Sequence, residues 1–262
     1  MSTGGSRRRF AGVAVIVVAL ALVTPVPALA IVGGEEVPVG SYPSAVYLSN
    51  GSELPMCGGV LVGPGAVLTA AHCTFDTAQA ELRVVAHRQH PAGRDGATRS
   101  VARIWRHPAY HPYDGGPSSG NNDIAVLTLD RALPYPAAKL AGDADRDHYR
   151  PGAMATVLGW GRLADGGARS DTLRGAAIPV TDDRSCAATY PSFKPGLVVC
   201  AGDPRGGKDA CLGDSGGPLV AGNVVIGIVA AGIGCGQPGT PGSYTRVSGY
   251  LADITAHSGS DA

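Results

Sequence analysis

Charge is scarce in this sequence. Only 16% of its 262 residues are Asp, Glu, Lys or Arg, and 21 basic side chains balance 21 acidic ones. With no net positive charge, the chain lacks the electrostatic footprint of a nucleic-acid binder. Beyond the first thirty residues there is no long apolar run, and the one at Phe10–Val23 spans 14 residues, short of the roughly 20 a membrane helix requires. No CxxC pair occurs, and the cysteine spacings suit no zinc module. Internal repeats and low-complexity tracts are missing, and helix signals are few. What is plentiful is apolar residues, at 44%, with 39 glycines and 20 prolines. Disordered chains combine low hydrophobicity with high net charge, so this composition predicts a packed core. The glycines and prolines follow no collagen-like period and read as punctuation between many short strands.

Residues 1–30 are set apart from the fold as an export signal. Arg7, Arg8 and Arg9 precede the apolar run, and Ala28-Leu29-Ala30 closes it with a small-x-small cleavage pattern. Ser6-Arg7-Arg8-Arg9-Phe10 fits a twin-arginine signal, which would imply a bacterial source, and the greasy run fits a general secretory signal equally. The expectation is a secreted, extracellular protein, free of the membrane once the signal is removed. Residues 31–262 carry 18 basic and 21 acidic side chains, a net charge of −3 that names no partner. Cys57, Cys73, Cys186, Cys200, Cys211 and Cys235 all lie in this part. An even count in an exported chain predicts three disulfides, and spacing alone leaves their pairing open.

Short apolar runs broken by turn residues fall into two sets of six. The first holds Ala45–Leu48, Val60–Val62, Ala66–Thr69, Leu82–Ala86, Val101–Trp105 and Ile124–Leu129. The second holds Ala153–Leu158, Ala176–Val180, Leu197–Cys200, Leu219–Ala221, Val224–Ala230 and Tyr244–Val247. That spacing predicts an all-β protein of two packed six-stranded antiparallel barrels, about 31–140 and about 141–262. The proline-rich and charged stretch from Leu133 to Gly152 reads as the crossing between them. Asp182-Asp183-Arg184-Ser185 could open a short helix, and Tyr250–His257 a short C-terminal one.

The richest stretch for chemistry is Gly213-Asp214-Ser215-Gly216-Gly217-Pro218. A serine between glycines can sit exposed on a tight turn whose backbone N–H groups bind an oxyanion. Gly-x-Ser-x-Gly is also the nucleophile elbow of lipases and esterases, whose order is serine, acid, histidine. Only 47 residues follow Ser215, with His257 the one histidine among them, too few for the rest of that fold. Upstream, His72 follows one apolar run in Thr69-Ala70-Ala71-His72-Cys73 and Asp123 precedes another in Asn122-Asp123-Ile124-Ala125. Either alone would read as a structural, hydrogen-bonded side chain. Together with Ser215 they give the order His, Asp, Ser.

The chain resembles the trypsin-like serine proteases of the chymotrypsin family over residues 31–262. The resemblance rests on Ile31-Val32-Gly33-Gly34, Cys57-Gly58-Gly59, Ala70-Ala71-His72-Cys73, Gly159-Trp160-Gly161 and the run from Gly206 to Pro218. It implies that Ser215 is the nucleophile, His72 the general base and acid, and Asp123 the residue that orients His72. It implies an oxyanion hole from the N–H groups of Gly213 and Ser215, and the pairs Cys57–Cys73, Cys186–Cys200 and Cys211–Cys235. It places Asp209 at the base of the primary pocket, between the open walls of Gly232 and Gly242, where a carboxylate would select Arg or Lys. Ala210 stands where many relatives have a serine, which favours Arg. The resemblance also implies an activating ion pair between a new N-terminus at Ile31 and Asp214.

Two residues depart from the family pattern. Ala230 and Ala231 stand where it has a serine and a bulky aromatic, which predicts a lost hydrogen bond to Asp123 and weaker selection before the primary residue. His107 and His111 each precede a proline, so they share no helix face for a metal. His87 and His90 read as solvated loop side chains, and that loop lacks the paired acids of a calcium turn. No metal, cofactor or prosthetic group is expected. The expected partners are protein or peptide substrates, met by a monomer. The reading from another class is a catalytically silent homologue that serves as a binding module.

Overall fold

The computed structural model describes Met1 and residues 31–52, 54–75, 77–111 and 120–259. The export-signal expectation therefore lies outside the described residues except at Met1. Fourteen strands are present among them. The first half contains β1 (Glu35–Glu36), β2 (Ala45–Ser49), β3 (Cys57–Gly63), β4 (Ala66–Thr69), β5 (Arg83–Ala86), β6 (Ala97–Arg106) and β7 (Ala125–Leu129). The second contains β8 (Lys139–Leu140), β9 (Met154–Gly159), β10 (Arg174–Pro179), β11 (Val198–Ala201), β12 (Pro218–Ala221), β13 (Val224–Ala231) and β14 (Gly242–Arg246).

Strands β2-β3-β4-β7-β6-β5 close into an antiparallel barrel. Every residue of β2 is buried, because the strand is covered on both faces. Its alternation sends Val46 and Leu48 into the barrel core and Ala45 and Tyr47 into the seam with Leu158, Trp160 and Leu173. In that seam Tyr47 meets Trp160 edge-on, with ring centroids 5.3 Å apart. The second half forms an eight-stranded sheet in the order β1-β10-β9-β12-β13-β14-β11. Its antiparallel body is β9–β14, as the second set of apolar runs predicts. β1 extends one edge of this sheet, and β8, from the crossing segment, pairs with β13 in parallel.

Both expected helices form. Helix α1 (Asp183–Thr189) is capped by Asp182, whose carboxylate accepts the Ser185 N–H at 2.7 Å, a bond worth about 1 kcal/mol. Helix α2 (Leu251–Ser258) ends at Gly259, where φ is +64°. It returns to the first barrel and buries Ile254 with Val247 and Tyr250 against the barrel core. The disulfides are Cys57–Cys73, Cys186–Cys200 and Cys211–Cys235, each worth about 2–4 kcal/mol by constraining the unfolded chain. Of the two loop histidines, His90 is exposed, as expected, and His87 is half-buried. His87 stacks on Tyr135 with ring centroids 4.7 Å apart, and His90 Nδ1 bonds the Asp171 carbonyl at 2.8 Å. Among the described residues no helix is long and apolar enough to cross a membrane.

Candidate active site

The site assembles where the two halves meet, from loops that leave strand ends. β4 runs into a 3-10 turn at His72–Thr74, pinned to β3 by Cys57–Cys73. Asp123 comes from the loop before β7, whose preceding residue Asn122 has φ +57°, a conformation that asparagine tolerates. That loop is held from behind by the second sheet. Thr245 Oγ1 on β14 donates to the carbonyl of Gly120 at 3.0 Å and of Asp123 at 2.8 Å, and Tyr250 Oη accepts the Asn122 N–H at 2.8 Å. Asp123 is 2% exposed, and both its oxygens are used by His72. Oδ1 accepts the His72 N–H at 2.9 Å and Oδ2 faces Nδ1 at 2.7 Å. A proton held on Nδ1 leaves Nε2 as the basic nitrogen. Ala230 is buried and brings no hydroxyl to this loop.

Ser215 sits on a turn that only glycine permits on either side, with φ of +100° at Gly213 and +80° at Gly216. The turn is clamped between the two halves. Gly58 N–H on β3 donates to the Ser215 carbonyl at 2.7 Å, and Gly216 N–H donates to Val229 on β13 at 2.8 Å. A Cβ on Gly216 would collide with Thr69, just before the His72 turn. The Cys73 sulfur lies 3.7 Å from His72 Nε2 and 3.5 Å from the Ser215 carbonyl, so the Ser215 turn and the imidazole share one neighbour. Cys57, His72 and Cys73 place three possible ligand atoms close together. Both sulfurs are bound to each other, so neither is the thiolate a metal would need.

Beside Ser215 opens a cavity of about 240 Å³ lined by Asp209, Gly232, Gly242 and Tyr244. Asp209 is 4% exposed. Its Oδ2 accepts the Gly236 N–H at 3.1 Å, and its Oδ1 is buried with no partner. Burial pushes its carboxyl up to about 6. Gly242 keeps this floor open, since a Cβ there would stand 2.8 Å from Asp209 Oδ1. Tyr244 is buried against Asp209, and burial first, then that carboxylate, drives its phenol well above the ordinary value.

Asp214 is fully buried behind Ser215. Oδ1 accepts Gly161 N–H at 2.7 Å and Oδ2 accepts Cys211 N–H at 2.9 Å. Burial outweighs these two bonds and raises its carboxyl to about 7. Ile31 is also completely buried, in the core cluster of the second sheet. The structure thus brings together His72 with Asp123, Ser215 with Gly213, and Asp209 with Gly232 and Gly242. Sequence reasoning passed over Thr245 and Tyr244, which read only as strand core. It also passed over Asp165, which lies in no motif, and gave no role to Leu212 within the run from Gly206 to Pro218; both are exposed and line the cavity.

The trypsin family model matches residues 31–254. The chain is 41% identical over 220 residues to a trypsin of Saccharopolyspora erythraea, covering 84% of this chain and 94% of that protein. It is 36% identical over 229 residues to a trypsin of Squalus acanthias, covering 86% and 94%. Among solved structures it superposes on neuropsin, a serine protease expressed in the limbic system of mouse brain. That match has a TM-score of 0.76 at 30% identity and covers 85% of this chain and 97% of the other. The family model and these relatives span both β-bodies and the cleft between them, and the chain belongs to the trypsin family of serine endopeptidases.

Proposed function

We propose that this endopeptidase acts outside the cell and cleaves peptide bonds after Arg and, less readily, Lys. Asp209 is the observation that carries the specificity. A carboxylate with an unpartnered oxygen at the inner end of a narrow cavity is costly unless a cation completes it. A substrate guanidinium fits that need through paired N–H donors. Ala210 lines the same cavity and offers no hydroxyl to solvate the compact ammonium of lysine.

In this reading Ser215 Oγ attacks the carbonyl carbon as His72 Nε2 takes its proton, and Asp123 stabilises the resulting imidazolium. The oxyanion is met by the N–H groups of Gly213 and Ser215, each such donor worth about 3–4 kcal/mol. Collapse breaks the C–N bond, and the leaving amine takes the proton from His72. Water then hydrolyses the acyl ester by the same proton route. All of these groups lie on one chain, consistent with a monomer. Residues 1–30 fit an export signal.

Asp209→Ser tests the pocket. It should lower kcat/KM for arginyl amides by more than about a hundredfold, since it strips a desolvated cation of its partner. Unchanged arginyl preference in the variant would place the selecting group elsewhere. The pH dependence is a second check. The carboxyl of Asp209 is raised to about 6, and only its ionised form attracts a cation. Benzamidine should therefore bind the wild type at constant strength above that pH and lose about tenfold per unit below it, measured by competitive inhibition. A profile flat through pH 5 would contradict the assignment.

A further inference from the structure

We propose that Asp165 gives the leaving-group side of this cleft a preference for a basic residue, a second point of cation selection beside Asp209. The inference rests on the protease reading above. The cavity that holds Ser215 and Asp209 is also lined by Asp165 and Leu212. These two are exposed, Leu212 to 60%, whereas Asp209 lies at the inner end. Among the described residues Asp165 forms no ion pair.

A closed turn holds Asp165 in place. Arg162 and Arg169 face each other across a β-bridge, Leu163 N–H donates to the Ala168 carbonyl at 2.9 Å, and Gly167 N–H donates to that of Ala164 at 2.9 Å. The two arginines at its base are engaged on backbone carbonyls, Arg162 on Gly167 at 2.6 Å and Arg169 on Pro55. Arg162 thus holds its charge on a carbonyl two residues from Asp165, and Arg169 lies beside Gly213. Within residues 163–168 Asp165 is the only charged side chain. Arg162 N–H also donates to the Leu212 carbonyl at 2.9 Å, so the turn is tied to the loop that carries the nucleophile.

The side of the cleft follows from the clamp on Ser215. The nucleophile turn bonds β13 through Val229 and β3 through Gly58. An acyl segment laid along the open end of β13 at Ala231 and Gly232 reaches Ser215 from one side. The leaving segment then departs over β3, towards Pro55, where Arg169 anchors the turn that bears Asp165. A carboxylate beside Leu212 there suits a long cationic side chain, whose stem covers the leucine while its head meets the acid. A pair at so exposed a place is worth only about a fivefold preference, and it fades with salt.

Acyl transfer isolates this side of the site. An N-blocked arginine methyl ester acylates Ser215, and the acyl-enzyme is divided between water and added argininamide or its uncharged isostere citrullinamide. Wild type should transfer to argininamide about fivefold better than to citrullinamide at low salt. Asp165→Asn should bring that ratio to about one, and Asp165→Lys should take it below one. Each ratio is taken within one acyl-enzyme, so it does not depend on how much of a variant folds. Equal ratios in all three proteins would overturn the assignment of Asp165. Absence of any acyl-enzyme from the ester would instead overturn the protease reading beneath it.

Discussion

Ser215→Ala is expected to lower kcat for an arginyl amide by about a millionfold, the scale on which a triad fails as a unit when its nucleophile is removed. The effect is large because the alanine removes the atom that forms the acyl ester, while Asp123, His72 and the cavity stay in place. Benzamidine binding should survive in the variant, since Asp209 and Ser215 stand at different parts of the cavity. That retained binding also reports that the protein is folded. Side-by-side turnover assays decide the matter. Equal rates for the two proteins would remove Ser215 from the chemistry and leave this chain a peptide-binding module.

The second large effect concerns the bond between Ala30 and Ile31. Ile31 is wholly buried in the core of the second sheet and has φ +44°, a left-handed conformation that a β-branched residue adopts only under strain. Cutting before Ile31 abolishes the peptide bond that defines this angle, and it frees an ammonium in the interior. The group that would meet it is Asp214, buried without an ion-pair partner among the described residues and raised to about 7. In the uncut chain this carboxyl has a folded pKa above its ordinary 3.8. Its contribution to stability is complete below the unfolded value and is lost as pH rises through about 7. In the cut chain an ion pair with Asp214 would raise the ammonium above its unfolded value. Its contribution holds below the unfolded value of about 7.7–8.0 and is lost at higher pH.

Between these limits the two forms should differ most. Protein beginning at Ile31 should show kcat/KM about a hundred- to a thousandfold above the form that retains Leu29-Ala30, the cost of a broken buried pair. Its thermal midpoint should exceed that of the longer form by a margin that widens from pH 6 to near 8. Expression in a host without other extracellular proteases, followed by N-terminal sequencing, tells whether signal cleavage alone exposes Ile31. A cut after Ala28 would leave the dipeptide, and activity would then appear only after trimming. Equal activity of the two forms would show that Asp214 needs no ammonium.

Much of the scaffold is legible in the residues. The run Ala66–Thr69 is β4 to the residue, and Val224–Ala230 falls short of β13 by one, because β-branched and apolar residues between turn formers record burial locally. Asp182 marks the start of α1 for the same reason, as a cap acts within three residues of itself. β8 was not legible. Lys139–Leu140 sits in a stretch that reads as a polar crossing, and only pairing with Val224 and Val225 makes it a strand. Nor did the polar loop announce the packing of His87, since Tyr135 arrives from far along the chain.

For the site, the sequence by itself determined the chemistry available. It supplied a serine between glycines, a histidine and an aspartate beside buried strands, and an order along the chain that excludes the esterase alternative. These are local facts, set by residue type and spacing. Tertiary structure alone decided which of them meet. His72 and Asp123 are 51 residues apart and bond at 2.7 Å only because β4 and β7 are neighbours in the closed barrel. The unpartnered oxygen of Asp209, the buried carboxyl of Asp214 and the charge of Asp165 over the outer cleft have no counterpart in local pattern. Desolvation and proximity depend on every segment that packs around a group. A side chain's type is written once in the chain, but its electrostatic environment is built from strands and loops that the sequence keeps far apart.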